Sequence, residues 1–107
     1  MALVTLEEAK TYLRVDSADE DALISSLLST AYITTRDVGR IEDERWAEVI
    51  ADPTEEDEDE LIQLRALCKT AALYALGYLF EHREEADHHD LMITMRNLLF
   101  AVREGVI

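Results

Sequence analysis

From Thr70 to Phe80 the chain reads Thr-Ala-Ala-Leu-Tyr-Ala-Leu-Gly-Tyr-Leu-Phe, eleven residues without a charge. A helix of that composition has no polar face to give to water, so nearly every side of it must be covered by the rest of the chain or by another subunit. Upstream the same pattern continues with Leu61, Leu64, Leu67, Cys68 and Ala71, followed by Tyr74, Ala75 and Tyr78, at helical spacing. The stripe predicts one long helix over about 57–82. With three glycines and one proline in 107 residues there is little material for tight hairpin turns, which disfavours a β-sandwich or barrel.

The remaining segments follow the same period. Thr5-Leu6-Glu7-Glu8 reads as a capping box opening a short helix with Leu6, Ala9 and Leu13 on one face. Ser17 or Asp19 can cap a second helix to about Thr35, carrying Leu23, Ile24, Leu27, Leu28, Ala31 and Tyr32. Gly39 is available for a left-handed stop after it. Ile41 to Ile50 fits either a short helix or an irregular segment that pins Trp46 to the core. Asp52-Pro53-Thr54 is a break. Leu91, Met92, Met95, Leu98, Leu99 and Val102 mark a closing helix. The predicted fold class is all-α: one domain over 1–107, a small helical bundle with two main helices (about 19–35 and 57–82), a short N-terminal helix, a C-terminal helix and an irregular acidic middle segment.

Charge narrows the function. The net charge is −14, and residues 52–60 alone hold seven of the 24 acids and no base. Such a chain is repelled by DNA, RNA and anionic membranes, and it lacks the basic patch of a nucleic-acid reader. No apolar stretch is long enough to span a bilayer. The start lacks the basic and apolar regions of a secretion signal, and Cys68 is the sole cysteine, so a cytosolic, reducing origin is expected. The run Glu55, Glu56, Asp57, Glu58, Asp59, Glu60 reads as a solvated segment leading into a helix N-terminus, where acids are favoured. It can also serve as a docking surface for a basic partner or line a passage through which DNA slides without adhering.

Chemistry is sparsely encoded. Acids in runs and at helix starts are caps and wetted faces rather than a shaped catalytic pair. His82, His88 and His89, with Glu81, Glu84, Glu85, Asp87 and Asp90, form the densest group of potential ligands, yet their spacing matches no zinc pattern. Cys68 falls on the apolar stripe as a small core residue. No phosphate-binding glycine loop, nucleophile elbow or paired-cysteine motif is present. The expectation is a non-enzyme with no cofactor and no metal.

Two stretches carry a resemblance. Thr5-Leu6-Glu7-Glu8-Ala9-Lys10-x-Tyr12-Leu13-Arg14-Val15-Asp16, then Asp19-Glu20-Asp21-x-Leu23-Ile24-x-x-Leu27-Leu28-x-x-Ala31, resembles the small head–tail connector (adaptor) proteins of long-tailed double-stranded DNA phages and prophages. Ala71-Ala72-Leu73-Tyr74 followed by Phe80-Glu81-His82-Arg83-Glu84, and the closing Leu91 to Arg103, are similar to later parts of that family, while residues 36–60 match it poorly.

The resemblance implies a structural virion protein that forms a ring, dodecameric on the virion, beneath the portal protein. Such a ring extends the DNA channel and receives further head-completion or tail proteins, with no membrane involved. It would form in the host cytoplasm and reside at the virion head–tail junction. On this reading Leu73, Tyr74, Leu76, Tyr78 and Phe80 face a neighbouring subunit or the portal, and Glu55, Glu56, Asp57, Glu58, Asp59 and Glu60 face solvent or the lumen. The alternative is a small acidic interaction module, antitoxin-like or DNA-mimicking, that binds a basic partner.

Overall fold

The computed structural model describes residues 3–84 and 87–105. Its elements run α1 (Leu6–Leu13), α2 (Asp21–Gly39), α3 (Asp43–Ile50), α4 (Asp59–Glu81), α5 (His89–Leu98) and α6 (Phe100–Arg103), with no strand among the described residues. The all-α expectation holds.

The centre of the molecule is the seam between α2 and α4. Ile24, Leu28 and Ala31 on α2 meet Leu64, Cys68, Ala71, Ala75 and Leu76 on α4, all buried. The small residues at 31, 68, 71 and 75 let the two helix axes approach, and the large ones fill the space between them. Leu91, Met95 and Leu99 close the core from the C-terminal side, and Val4 from the N-terminal side. Each fully buried leucine, isoleucine or methionine contributes about 1.5–3 kcal/mol relative to exposure, and Ile24, Leu64, Leu76, Met95 and Leu99 are all of this kind.

Local chemistry sets the helix ends. The Thr5–Glu8 capping box forms as predicted: the Glu8 amide donates to Thr5 Oγ1 and the Thr5 amide to Glu8 Oε1, each at 3.1 Å. Tyr32 ties the chain ahead of α1 to α2, its hydroxyl donating to the Val4 carbonyl at 3.0 Å. That hydroxyl's pKa is raised, chiefly because burial disfavours the phenolate. Trp46 on α3 meets the Tyr32 ring edge-on at 6.2 Å, so the 41–50 segment is a helix and also fastens its tryptophan to the core.

Three expectations are corrected. The second helix starts at Asp21, not at a Ser17 or Asp19 cap, because Ser17 Oγ turns to the Asp19 amide in a local bend and Asp21 pairs with Lys10 at 2.8 Å. It also runs on to Gly39, which is helical; the left-handed stop is Arg40, φ 54°. Gly39 is needed for space instead: a Cβ there would lie 3.3 Å from the Ile41 side chain and 3.6 Å from Val102. Finally, the closing helix is broken in two at Leu99, and Arg103 on α6 reaches back to donate to the Val38 carbonyl at 2.7 Å.

Helices α1 and α2 end alike. In α1 the Val15 amide bonds the Lys10 carbonyl (2.9 Å) and the Arg14 amide the Thr11 carbonyl (3.2 Å); in α2 Ile41 bonds Arg36 (3.1 Å) and Arg40 bonds Asp37 (3.2 Å). Both are Schellman motifs, and both place arginine rather than glycine in the left-handed position. The positive charge suits a helix C-terminus, while the left-handed backbone costs a non-glycine residue about 1–2 kcal/mol.

Candidate functional site

The two ends of α4, about 34 Å apart at 1.5 Å per residue, carry the two features singled out in the sequence. At the N-terminal end lies the acidic segment. Glu55, Glu56, Glu58, Asp59 and Glu60 are exposed, in keeping with a solvated run. Asp57 departs from it. Its carboxylate accepts from the Thr54 amide (2.9 Å), the Thr54 hydroxyl (3.0 Å) and Arg65 Nη1 (2.9 Å), and its side chain is only 12% exposed. These bonds hold its carboxyl below the usual range, the Thr54 amide foremost and Arg65 next.

Arg65 is the organiser of this end. Besides Asp57 it donates to the carbonyls of Glu48 (2.9 Å) and Val49 (3.2 Å), satisfying the end of α3 while fixing the turn that follows. Arg45 adds pairs to Glu48 and Glu58 at 3.3 and 2.9 Å. The stretch from Ala51 to Glu56 is thereby held in place at its base, although each of its side chains remains exposed. Ala51, at φ −73° and ψ 159°, begins it in an extended, polyproline-like conformation.

At the C-terminal end of α4 the surface is aromatic. Tyr12 of α1 lies against Gly77, where an added Cβ would stand 3.0 Å from its ring. Around this contact Tyr12, Arg14, Tyr74, Tyr78 and His82 line an open groove of about 680 Å³. Tyr78 stacks on His82 at 4.1 Å, and His88 meets the same tyrosine edge-on at 5.9 Å. His82 Nδ1 lies 2.9 Å from the Tyr78 carbonyl and donates to it, which closes the helix. At the rim Arg83 sits over the Phe80 ring, 4.7 Å from its centroid.

The charges at the two ends are disposed differently. Among the described residues Lys10, Arg36, Arg45, Arg65 and Lys69 are paired with carboxylates. Arg14, Arg40, Arg83 and Arg96 are exposed and have no such partner, the first and third of them near the aromatic end. Glu81 also lines the groove, so its lining is balanced rather than basic, in a chain of net charge −14.

The sequence-predicted interface residues are therefore split. Tyr74 is 37% exposed; Leu73, Tyr78 and Phe80 are half-buried; Leu76 is fully buried and belongs to the domain's own core. Sequence reasoning passed over Tyr12, Gly77 and Arg65. A glycine inside an otherwise unbroken apolar helix was the available signal for a close approach.

The remaining candidates are structural in their surroundings. Cys68 is fully buried, and burial pushes its thiol up to about 12, far from a reactive thiolate. Among the described residues no three His, Cys, Asp or Glu side chains are arranged to hold a metal ion. Two of the three histidines are engaged in the aromatic cluster, and Glu85 lies outside the described residues. No described helix is long and apolar enough to cross a membrane.

A family model described as phage gp6-like head-tail connector protein matches residues 3–105, and so runs through the acidic middle as well as the two stretches that carry the resemblance. No curated protein and no solved structure matches.

Proposed function

The chain belongs to the phage gp6-like head-tail connector family, and from that premise we propose that it closes into an oligomeric ring under the portal protein, at the virion head–tail junction. The observation that carries this reading is the length of the family match, residues 3–105 of 107. The protein is a phage structural component. Its ring extends the DNA channel and offers a platform to further head-completion or tail proteins.

Two physical features support the reading. The many exposed carboxylates of a chain of net charge −14 suit a surface that DNA passes without sticking, since like charges repel. Copies of net charge −14 also repel one another, so a stable contact between them must bring apolar area or opposite charges together. The aromatic end of α4 offers such apolar area. A ring of identical subunits then requires a heterologous contact, two different patches of each copy meeting around a closed cycle.

The test is light scattering on a sizing column over a wide concentration range, alone and with the portal ring added, with negative-stain images of any large peak. Closed rings with a central hole, free or seated on the portal, are expected. A monomer that ignores the portal and binds a basic protein with steeply salt-dependent affinity would overturn the ring and favour the acidic interaction module, which uses the same exposed carboxylates.

A further inference from the structure

The proline-bearing acidic segment and the aromatic groove lie at opposite ends of α4, and each lacks what the other has. The segment from Ala51 to Glu56 is exposed, begins extended at Ala51, closes in a turn at Glu55 and Glu56 where the Asp57 amide donates to the Thr54 carbonyl (3.3 Å), and is anchored at its base by Arg65 and Asp57, so it is presented at little further cost in conformational entropy. It contains the chain's only proline, flanked by Asp52 on one side and by Glu55 and Glu56 two residues on. The groove offers tyrosine faces, on which an extended proline packs well, and its volume is in the range of sites that hold a small ligand. Arg14 lines the groove, as does Glu81, and Arg83 stands at its rim over Phe80; both arginines are exposed and without carboxylate partners.

The segment cannot reach the groove of its own copy. Asp59 and Tyr78 are nineteen positions apart along one helix, about 28 Å at 1.5 Å per residue. We propose that the groove of one copy receives the 51–56 segment of the next, Pro53 against Tyr74 and Tyr78, with Glu55 and Glu56 toward Arg14 and Arg83. This inference rests on the ring reading and adds which two surfaces meet. The contact is head-to-tail, because the two patches are different and lie on opposite ends of the subunit. It also explains how strongly acidic copies can associate: two acids of one are placed toward two unpaired arginines of its neighbour.

Disulfide trapping tests it on the full chain. The buried Cys68 stays out of the reaction, so introduced cysteines report alone. The double variant Ala51→Cys/Glu81→Cys leaves the acids of the 51–56 segment, Pro53 and both arginines in place. It is expected to give a ladder of crosslinked multimers under mild oxidation, whereas each single variant gives no ladder. A second variant, Arg14→Glu/Arg83→Glu, is expected to weaken self-association by at least about tenfold at low salt. Adding Glu55→Arg/Glu56→Arg to the same chain is expected to restore it. Closed rings that form without the 51–81 crosslink would overturn this contact and leave the ring standing. A ladder of open chains that never close would keep the contact and overturn the ring. Neither rings nor a ladder, with charge reversal having no effect, would overturn both.

Discussion

The two ends of α4 solve the problem of ending a long apolar helix in opposite ways. At the N-terminal end the links are ionic and directional: Arg65 and Arg45 gather carboxylates and carbonyls from α3 and the acidic turn. At the C-terminal end the links are aromatic: Tyr12 on Gly77, Tyr78 between two histidines, Phe80 under Arg83. Helices α1 and α2 both stop on a left-handed arginine. The difference teaches where the domain keeps its stability and where it has surface to spare. Apolar residues that face α2 are consumed by the fold, and those that face Tyr12 stay reachable.

The largest effect that can break this division comes from neighbouring positions on α4. Leu76→Ala removes a fully buried side chain and is expected to cost about 2–5 kcal/mol in denaturant unfolding. Tyr74→Ala, at a position 37% exposed, is expected to cost about 1 kcal/mol and to abolish multimers instead. Equal destabilisation by both would show that the aromatic end is merely core.

Next in size are the two left-handed arginines. Arg14→Gly and Arg40→Gly each relieve a strained backbone and are expected to stabilise the monomer by about 1 kcal/mol. Only Arg14→Gly should also weaken self-association, because Arg14 lines the groove and Arg40 lies at the other end of α2. Calorimetry beside sedimentation on both variants separates the two roles.

A smaller effect distinguishes acids within the run. Asp57→Asn is expected to lower the melting temperature, since it breaks the link from Thr54 through Arg65 to α3, whereas Glu56→Gln should leave it unchanged. The same chemistry has a pH signature. Glu8 is held below its ordinary value of 4.5, chiefly by the Lys69 hydrogen bond and next by the Thr5 amide, and Asp57 below 3.8. Depressed folded values mean that the stabilisation is complete above the ordinary values and is lost as pH falls through the folded ones. The acid limb of a stability profile should therefore be shallower in Asp57→Asn than in the parent.

What was legible in the sequence was what is local. The Thr5–Glu8 box needs only three residues of separation, and the i, i+3, i+4 spacing of Leu61, Leu64, Cys68 and Ala71 fixes the buried face of α4 without a partner. Asp57 looks like its five acidic neighbours until the register of α4 places Arg65 beside it. Tyr12 and Gly77 are 65 residues apart, and nothing in either segment names the other. Gly39 shows a further limit: a glycine near a helix end signals a left-handed stop or a tight packing place equally well, and only Ile41 and Val102 decide between them. Leu76 fits an uncharged helix facing a neighbour as well as one facing α2, and burial alone separates those roles.

The central claim is that the aromatic end of α4 is the surface by which copies of this connector join. A cryo-EM reconstruction of the assembled ring measures it directly. The account expects Tyr74, Tyr78 and Phe80 of each subunit to be covered by the adjacent one, with the exposed segment before α4 reaching across the junction. Closed rings in which those three side chains face open solvent would contradict it.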